Sequence, residues 1–280
     1  MTSQHGTLYV VGTPIGNLED ISLRALRVLR ECDLIAAEDT RHTRKLLERH
    51  EIATPLTSYH QHSGERKLRE LVRMMESGKT IALVSDAGMP GFSDPGAKLV
   101  LTCVEARLTV SVIPGPTASS AALAISGFSG REHVFLGFLS AKSGERRKTL
   151  ARVAQQRGAL IFYEAPHRLV DSLADMAEVL GDREAACARE LTKRFEEMKR
   201  GKLSELVAYF REVEPRGEFV IIVRGETEEV EADITQAVDE VQDLVQAGLS
   251  QSSAIAHVAE WRDVSRNALY RAVHGRKEGE

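Results

Sequence analysis

The stretch TIALVSDAGMPGFSDPG, residues 80–96, decides the fold predicted for this chain. Its first part is apolar and β-branched, which predicts a buried strand from Thr80 to Ser85. The remainder, Asp86 to Gly96, is dense in glycine, proline and aspartate and predicts a loop. In α/β domains ligands bind at the carboxyl ends of strands, where loops carry function on a sheet that holds them in place. The stretch therefore predicts a ligand site in an α/β domain.

The same arrangement occurs on both sides of this stretch. The buried strand Leu8 to Gly12 runs into the loop GTPIGN, and the strand Thr109 to Ile113 runs into PGPTAS, which ends at Ser119. Segments with helical apolar spacing, such as Ser22 to Glu31, separate the strands. This alternation predicts a mostly parallel sheet flanked by helices.

A second group of strands and helices begins near residue 117. The spacing predicts strands at His133–Leu139, Ala159–Tyr163 and Phe219–Val223 and a helix at Leu169–Leu180. We therefore predict an α/β fold of two α/β domains, with a cofactor cleft between them. The N-terminal domain would span residues 1–116 and the C-terminal α/β domain residues 117–226.

The tail has a different composition. Residues 225–243 contain eight acidic residues and no basic one, which marks a boundary. Beyond it, Ala254, Ile255 and Val258 form one apolar face, and Ser265 is placed to cap a following helix, a helix-turn-helix pattern. Residues 232–280 are thus predicted to form a small helical module. The module fits either a nucleic-acid-reading helix or plain helix packing, and its basic residues are Arg262, Arg266, Arg271, Arg276 and Lys277.

Composition limits the classes of function. The chain has 280 residues, a net charge of −4 and a pI near 6.2, so it is not a small basic RNA-binding domain. A nucleic-acid partner would have to bind local basic segments, of which residues 142–157 and 193–202 are the clearest, although such segments are also common on solvated helix faces. No apolar stretch approaches the roughly 20 residues that cross a bilayer. We expect a soluble, cytoplasmic protein with no membrane partner.

The cysteines and histidines of the sequence indicate neither a disulfide nor a metal site. Cys32, Cys103 and Cys187 lie far apart without a CxxC pair, which predicts reduced, buried thiols. His60 and His62 lack a nearby third ligand, so no metal site is predicted. GTPIGN is not the GxGxxG of dinucleotide folds, and SGKT at 77–80 precedes a strand and lacks the first Walker A glycine.

The loops at the strand ends favour a cationic ligand. No Lys or Arg lies between Asp86 and Gly96, whereas a phosphate ligand would recruit such residues. Backbone amides and hydroxyls suit a sulfonium compound whose adenine, ribose and amino-acid parts need hydrogen bonds.

Eight blocks in this order resemble one enzyme family. They are VGTPIGNLEDIS, IAAEDTRHTRKLL, SDAGMPGFSDPG, IPGPTAS, GFLS, FYEAPHR, ARELTK and GEFV. Together they resemble the ribosomal RNA small-subunit methyltransferase I family, within the tetrapyrrole (precorrin) methylase superfamily. The resemblance implies S-adenosyl-L-methionine as cofactor, a homodimer, and 2′-O-methylation of a cytidine ribose in 16S rRNA of the small ribosomal subunit.

The resemblance also implies roles for individual residues. The implied cofactor contacts are Pro14, Ser85, Asp86, Ala87, Gly88, Thr117, Ala118, Ser119, Phe162, Tyr163, Glu164, Glu190 and Leu191. Basic residues that would contact RNA are Arg41, Arg44, Lys45, Arg168, Arg189, Lys193, Arg266 and Arg271. The blocks with EDTRHTRKLL and YEAPHR are absent from precorrin relatives, which favours the RNA enzyme.

Methyl transfer is an in-line displacement, so most of the rate comes from positioning, and a base adds to it. Candidate catalytic residues are Glu38, Asp39, Glu164 and His167, with Asp86 and Glu190 as further acids. Two alternatives stay open: a tetrapyrrole methylase of the precorrin or uroporphyrinogen type, and a nucleic-acid-binding regulator that senses S-adenosylmethionine. A large apolar cleft without a basic rim would favour the first, and an output that depends on the tail the second.

Overall fold

The structure is a computed structural model that forms two compact units, residues 1–224 and residues 225–280. It describes residues 5–60, 63–91, 96–128, 130, 132–226, 229–262 and 264–275. The larger unit holds two five-stranded sheets, and the smaller unit is helical in its described part. The predicted α/β fold class with a helical C-terminal module is confirmed.

The first sheet has the order β3-β2-β4-β1-β5, and every pairing in it is parallel. Its strands are β1 (Thr7–Val11), β2 (Leu34–Ala37), β3 (Leu56–Ser58), β4 (Ile81–Val84) and β5 (Thr109–Ile113). The central strand β4 is buried along its whole length, as its continuous apolar run requires in a sheet covered on both faces.

The helices of this half connect successive parallel strands. They are α1 (Leu23–Glu31), α2 (Thr40–Arg49), α3 (Glu65–Glu76) and α4 (Gly96–Glu105). The hydroxyl of Ser22 caps α1 by accepting the N–H of Ala25, and Asp39 caps α2 by accepting the N–H of Arg41. Since parallel strands all point the same way, the loops that follow β1, β2, β4 and β5 lie at one edge of the sheet.

The second sheet is mixed, with the order β6-β7-β10-β8-β9. Its strands are β6 (His133–Phe138), β7 (Ala159–Glu164), β8 (Glu184–Arg189), β9 (Glu197–Lys202) and β10 (Phe219–Val223). Only β6 and β7 pair in parallel. Its helices are α5 (Ala118–Ser126), α6 (Ser143–Arg152), α7 (Leu169–Leu180) and α8 (Leu203–Glu212). Apolar clusters lie on both faces, with Phe162 in one and Ile161 in the other, as alternation along a strand dictates.

The smaller unit consists of α9 (Glu229–Gln246), α10 (Gln251–Trp261) and α11 (Arg266–Gly275). Ala254, Ile255 and Val258 are buried in its core together with Leu269 of α11, as the sequence predicts. The hydroxyl of Ser265 accepts the N–H of Ala268 at 3.4 Å, next to the start of α11.

Two strands escape the sequence prediction. β3 has only three residues and follows a proline, so it shows no apolar run, and four of the six residues of β9, EMKRGK, are charged. β9 is an edge strand, where charged side chains face solvent and protect the edge. All three cysteines are buried, as predicted, and burial raises the pKa of Cys32 and Cys103 to about 11 and of Cys187 to about 12.

Within the described residues no helix is long and apolar enough to cross a membrane, and no group of three or more His, Cys, Asp or Glu side chains is placed to hold a metal ion. His62 and residues 92–95 of the glycine-rich loop lie outside the described residues.

Candidate functional site

Three loops of the first sheet meet in backbone contact. Thr13, after β1, exchanges two hydrogen bonds with Gly88, after β4: its N–H donates at 2.9 Å and its carbonyl accepts at 3.1 Å. Gly12 and Gly115, after β1 and β5, lie so close that a Cβ on Gly12 would stand 2.6 Å from the Gly115 Cα. A real Cβ does not approach another atom this closely, so both positions require glycine.

The second sheet brings its own loops to the same place. The N–H of Ser119, in the first turn of α5, donates to the Tyr163 hydroxyl at 3.3 Å. The N–H of Asn17 donates to the Thr192 hydroxyl at 3.1 Å, and a Cβ on Gly16 would stand 2.8 Å from the Leu191 carbonyl oxygen. The glycine loops thus face the FYEAPHR and ARELTK segments.

A cavity of about 430 Å³ lies between these loops; we call it the acidic cavity. Its walls combine apolar side chains with four carboxylates, and none of the described residues that line it is Lys or Arg. The lining residues are Ile15, Glu38, Ser85, Asp86, Ala87, Gly88, Met89, Thr117, Ala118, Phe138, Tyr163, Glu164, Ala165, Pro166, Glu218, Phe219 and Val220. Such a lining suits a partly apolar ligand with a positive charge.

A second cavity of about 400 Å³ adjoins the first; we call it the α2 cavity. The two share Ile15, Ser85, Asp86, Ala87 and Glu218. The other residues that line the α2 cavity are Thr13, Pro14, Gly16, Leu18, His42, Thr43, Lys45, Leu46 and Lys193. Two ligands that bind these cavities would lie side by side, with Asp86 and Ala87 at the shared wall.

Glu164 is a buried carboxylate whose hydrogen-bonding capacity is largely used. One of its oxygens accepts the Arg168 guanidinium at 2.7 Å and the N–H of Ala165 at 2.9 Å, and the other accepts the Ser172 hydroxyl at 2.5 Å. Its side chain is 1% exposed. Through these contacts Glu164 fixes the end of β7, and Arg168 is its ion-pair partner.

Asp39 and Glu190 are likewise engaged in structure. The Arg41 guanidinium and then the Arg41 N–H hold the pKa of Asp39 well below its ordinary value. For Glu190, burial raises the pKa, but the N–H of Glu218 and the Lys193 ammonium outweigh it, so its pKa is lowered. A carboxylate with a lowered pKa is a weaker proton acceptor, which makes both residues poor general bases.

Glu38 and Asp86 are differently placed. Both line the acidic cavity, and only Asp86 also lines the α2 cavity. Asp86 Oδ1 accepts the N–H of Asp39 at 2.9 Å, which orients the carboxylate. His167 is exposed in a short 3₁₀ helix, Pro166–His167–Arg168, and lines neither cavity.

The predicted cofactor residues divide into four groups. Those that line the acidic cavity are Ser85, Asp86, Ala87, Gly88, Thr117, Ala118, Tyr163 and Glu164, whereas Pro14 lines the α2 cavity. Ser119 lines a separate apolar cavity of about 410 Å³ with Leu123 and Phe135. Phe162, Glu190 and Leu191 line none of the three, because Phe162 is fully buried in the core, Leu191 packs beneath α5, and Glu190 is bonded to Lys193.

Several cavity residues were not predicted from the sequence. Phe138, Pro166, Glu218, Phe219 and Val220 line the acidic cavity. GEFV at 217–220 was among the conspicuous blocks, and its place at the start of an apolar strand is the signal that could have assigned it. β10 is antiparallel to β7, so its beginning lies beside the end of β7.

The basic residues of the larger unit surround the site unevenly. Lys45 and Lys193 line the α2 cavity, and Arg44 is exposed on α2. Three others are engaged with carboxylates: Arg41 with Asp39, Arg168 with Glu164, and Arg189 with Glu197. In the smaller unit Arg266 and Arg271 are exposed on α11.

Known proteins resemble this chain over most of its length. The family model of the tetrapyrrole (corrin/porphyrin) methylases matches residues 7–207. The ribosomal RNA small subunit methyltransferase I of Halalkalibacterium halodurans is 45% identical over 274 residues, which are 96% of this chain and 95% of that protein. The protein of the same name from Thermotoga maritima is 44% identical over 220 residues, which are 79% of this chain and 99% of that protein.

Among solved structures, the uroporphyrin-III C-methyltransferase of Thermus thermophilus, complexed with S-adenosylhomocysteine, has a TM-score of 0.57 and 22% identity. The alignment covers 78% of this chain and 97% of that protein. At this identity the likeness concerns the fold.

Proposed function

Because this chain belongs to the tetrapyrrole methylase family, we propose that it transfers a methyl group from S-adenosyl-L-methionine to the 2′-hydroxyl of a cytidine ribose in 16S rRNA of the small ribosomal subunit. The observation that carries the proposal is the pair of adjoining cavities with different lining charge. The acidic cavity suits a cationic cofactor, and the α2 cavity has lysines for a nucleic acid.

The residues of the acidic cavity fit the cofactor. The carboxylates of Glu38 and Asp86 line the cavity, and none of its described lining residues is Lys or Arg, which favours a sulfonium charge. Tyr163 and Phe138 offer apolar surface to an adenine ring. When bound, S-adenosylmethionine supplies an electrophilic methyl carbon.

Asp86 is the residue we propose to orient the acceptor hydroxyl and take its proton. It is the carboxylate at the wall of both cavities that is not part of an ion pair among the described residues, whereas Glu218 is bonded to Lys193. A positioned base contributes about 10²–10⁴-fold. D86N should lower kcat within that range and also weaken cofactor binding, because it removes a negative charge from the acidic cavity, whereas E38Q should weaken cofactor binding with a smaller loss of kcat.

The deciding experiment uses labelled S-adenosylmethionine and small ribosomal subunits. We expect label on one ribose, located by nuclease digestion and mass spectrometry. Label confined to a base would overturn the 2′-O assignment, and no label on RNA would overturn the RNA substrate.

The two alternative functions predict different results when the same labelled cofactor is used with another acceptor or with a shortened chain. The 45% identity to a ribosomal RNA methyltransferase over 96% of this chain disfavours a tetrapyrrole methylase, and methyl transfer to uroporphyrinogen would instead support that function. A regulator would depend on residues 225–280, but the Thermotoga maritima relative matches over a length close to that of the larger unit alone. Residues 1–224 should therefore retain methyl transfer, with lower RNA affinity if Arg266 and Arg271 bind RNA.

We further propose that the protein acts in the cytoplasm and that its two α/β halves, residues 1–116 and 117–226, are separate domains. We also propose that the protein is a homodimer. Exposed apolar side chains on the edge strand β5 and on the neighbouring helix α4 support the dimer, namely Leu101, Val104 and Val112. Sedimentation equilibrium should give twice the chain mass of 30.9 kDa, and V112D should shift it toward the monomer.

A further inference from the structure

A tight turn after β8 presents an exposed phenylalanine to solvent. The carbonyl of Lys193 accepts the N–H of Glu196 at 3.1 Å, so Arg194 and Phe195 occupy the two central positions of a four-residue turn, which we call the basic turn. Phe195 is 66% exposed. Single exposed apolar side chains are common on protein surfaces, but this one is carried by a backbone in an unusual conformation.

The backbone that leads into the basic turn is strained and held by hydrogen bonds. Glu190 and Thr192 have φ of 49° and 64°, in the left-handed region that a β-branched residue such as threonine rarely adopts. The Thr192 hydroxyl accepts the N–H of Asn17 at 3.1 Å, and the Thr192 N–H donates to a Glu196 carboxylate oxygen at 2.6 Å. Strain of this kind persists only where the surroundings fix it, and it clusters at ligand sites. None of these hydrogen bonds involves Phe195.

The carboxylates next to the turn are bonded within the protein, whereas the Arg194 guanidinium has no carboxylate partner among the described residues. Glu196 accepts a nearby backbone N–H, and Glu197 is paired with Arg189 at 3.2 Å. The Arg194 guanidinium carbon lies 5.6 Å from the centroid of the Phe195 ring. A cation and an aromatic ring are therefore presented together at the tip of the turn.

The basic turn lies beside the α2 cavity. Lys193, its first residue, lines that cavity, and because consecutive Cα atoms are 3.8 Å apart the Phe195 Cα lies within about 8 Å of the Lys193 Cα. Residues 193–202 contain five basic residues and two acidic ones in a chain whose net charge is −4. This local charge favours a polyanion. A two-fold contact between copies of this chain, if centred here, would instead bring two basic segments together.

An exposed ring next to a guanidinium matches an unpaired nucleotide. Single-stranded RNA is bound through bases that stack on aromatic side chains, in grooves whose positive charge follows the phosphates. Every base has a π-face, so one stacked base positions a strand without reading its sequence.

We propose that Phe195 stacks on an unpaired base of the RNA strand next to the nucleotide that accepts the methyl group, and that Arg194 contacts a phosphate of the same strand. This inference rests on the proposed function and adds to it a pair of side chains that position the substrate strand outside the two cavities.

The first experiment compares F195A, F195L and F195W with the wild type in the binding and methylation of small ribosomal subunits. F195A and F195L should each raise the Kd for the subunit at least about 5-fold, the lower limit for the loss of one base stacked on an aromatic ring. The change should appear in KM more than in kcat, because the contact binds the strand and not the reacting atoms. F195W should restore binding. Wild-type binding by F195L, or binding by F195W no better than by F195A, would overturn the inference.

Folding and assembly are checked with the same variants. Because Phe195 is exposed, F195A should keep the melting temperature, the cofactor Kd and the sedimentation mass of the wild type. A loss of melting temperature or cofactor affinity would assign Phe195 to the fold, and a shift toward lower mass would assign it to a subunit contact; each would overturn the inference. A wild-type protein that methylates no RNA would count against the proposed function, whereas full activity of F195A overturns only this inference.

The phosphate contact is tested through the salt dependence of binding. R194A should reduce the slope of log K against log salt by about 0.7, the value for one phosphate of a single strand. F195A should leave the slope unchanged, because a stacked base releases no counterion, and R194K should restore it. The matched control is R211A, since Arg211 is exposed near the end of α8 and lines neither cavity. Equal changes of slope in R194A and R211A would contradict the contact.

Discussion

The two sheets of the larger unit hold the candidate site by different means. The loops of the first sheet are joined backbone to backbone, through the Thr13–Gly88 hydrogen bonds and the contact of Gly12 with Gly115. The loops of the second sheet are held by side chains, chiefly the Tyr163 hydroxyl and the Glu164–Arg168 pair.

The difference has a physical origin. Parallel strands deliver their loops to one edge, where glycines allow backbones to touch. The mixed second sheet has neighbours that run in opposite directions, so only some of its loops reach that edge and side chains span the remaining gaps. Substitutions in the first sheet should therefore act sterically, and those in the second electrostatically.

The largest effect is expected for E164A. Removing one partner of a buried ion pair leaves an uncompensated charge, here that of Arg168, and should reduce the free energy of unfolding by about 3–5 kcal/mol. Urea denaturation measures it. E178A is the control, because Glu178 pairs with Arg147 while 60% exposed, and its loss should cost about 1 kcal/mol or less. Equal losses of stability in E164A and E178A would contradict the claim that buried charged side chains hold the loops of the second sheet.

Next comes G115A, which tests the steric half. The added methyl must displace the Gly12 backbone, since its Cβ would lie 2.8 Å from the Cα and the carbonyl carbon of Gly12 and 2.9 Å from its carbonyl oxygen. Overpacking of this kind costs about 1–3 kcal/mol. Cofactor affinity, measured by calorimetry, should fall as well. G144A should slightly stabilise the protein, because Gly144 lies in α6 with nothing within 4 Å of its Cβ position. Normal cofactor binding by G115A would contradict the requirement for glycine.

A smaller effect is expected for Y163F. The ring keeps its edge contacts with Phe135 and Phe138, at centroid distances of 5.0 and 5.5 Å, but the Ser119 N–H loses its acceptor. The loss should be about 1 kcal/mol, as for one hydrogen bond. Thermal unfolding measures it, and a loss as large as that of E164A would mean that Tyr163 does more than join α5 to β7.

The smallest effect concerns pH, where the two halves should behave alike. The Thr80 N–H lowers the pKa of Asp33 in the first half, and the Ser204 N–H lowers that of Asp182 in the second. A lowered folded pKa means that the stabilisation is present above the unfolded value near 3.9 and is lost as pH falls through the folded value. D33N and D182N should each flatten the decline of stability below about pH 4, each by less than about 1 kcal/mol because both carboxylates are exposed. If D33N and D182N changed the pH dependence of stability by different amounts, the contrast between the two sheets would extend beyond the site.

Local patterns in the sequence predicted much of this architecture. The α/β class, the boundaries of helices such as Leu169–Leu180, and the buried face of α10 follow from hydrophobic period and capping residues, and the structure agrees. The eight motif blocks identified a family that the comparisons confirm. The strands β3 and β9 were missed, because their short or charged sequences become strands only through pairing with neighbours.

What the sequence by itself determined is therefore the order of the elements and the loops that carry the site, since these depend on residues close together in the chain. Only the tertiary structure decided which side chains share a cavity. It placed Phe138 and Tyr163 at one cavity, directed Phe162 into the core, paired Glu164 with Arg168, and left the Thr43 hydroxyl without a partner among the described residues. Each of these outcomes depends on the face of a strand or helix and on partners distant in the chain, which local spacing does not encode.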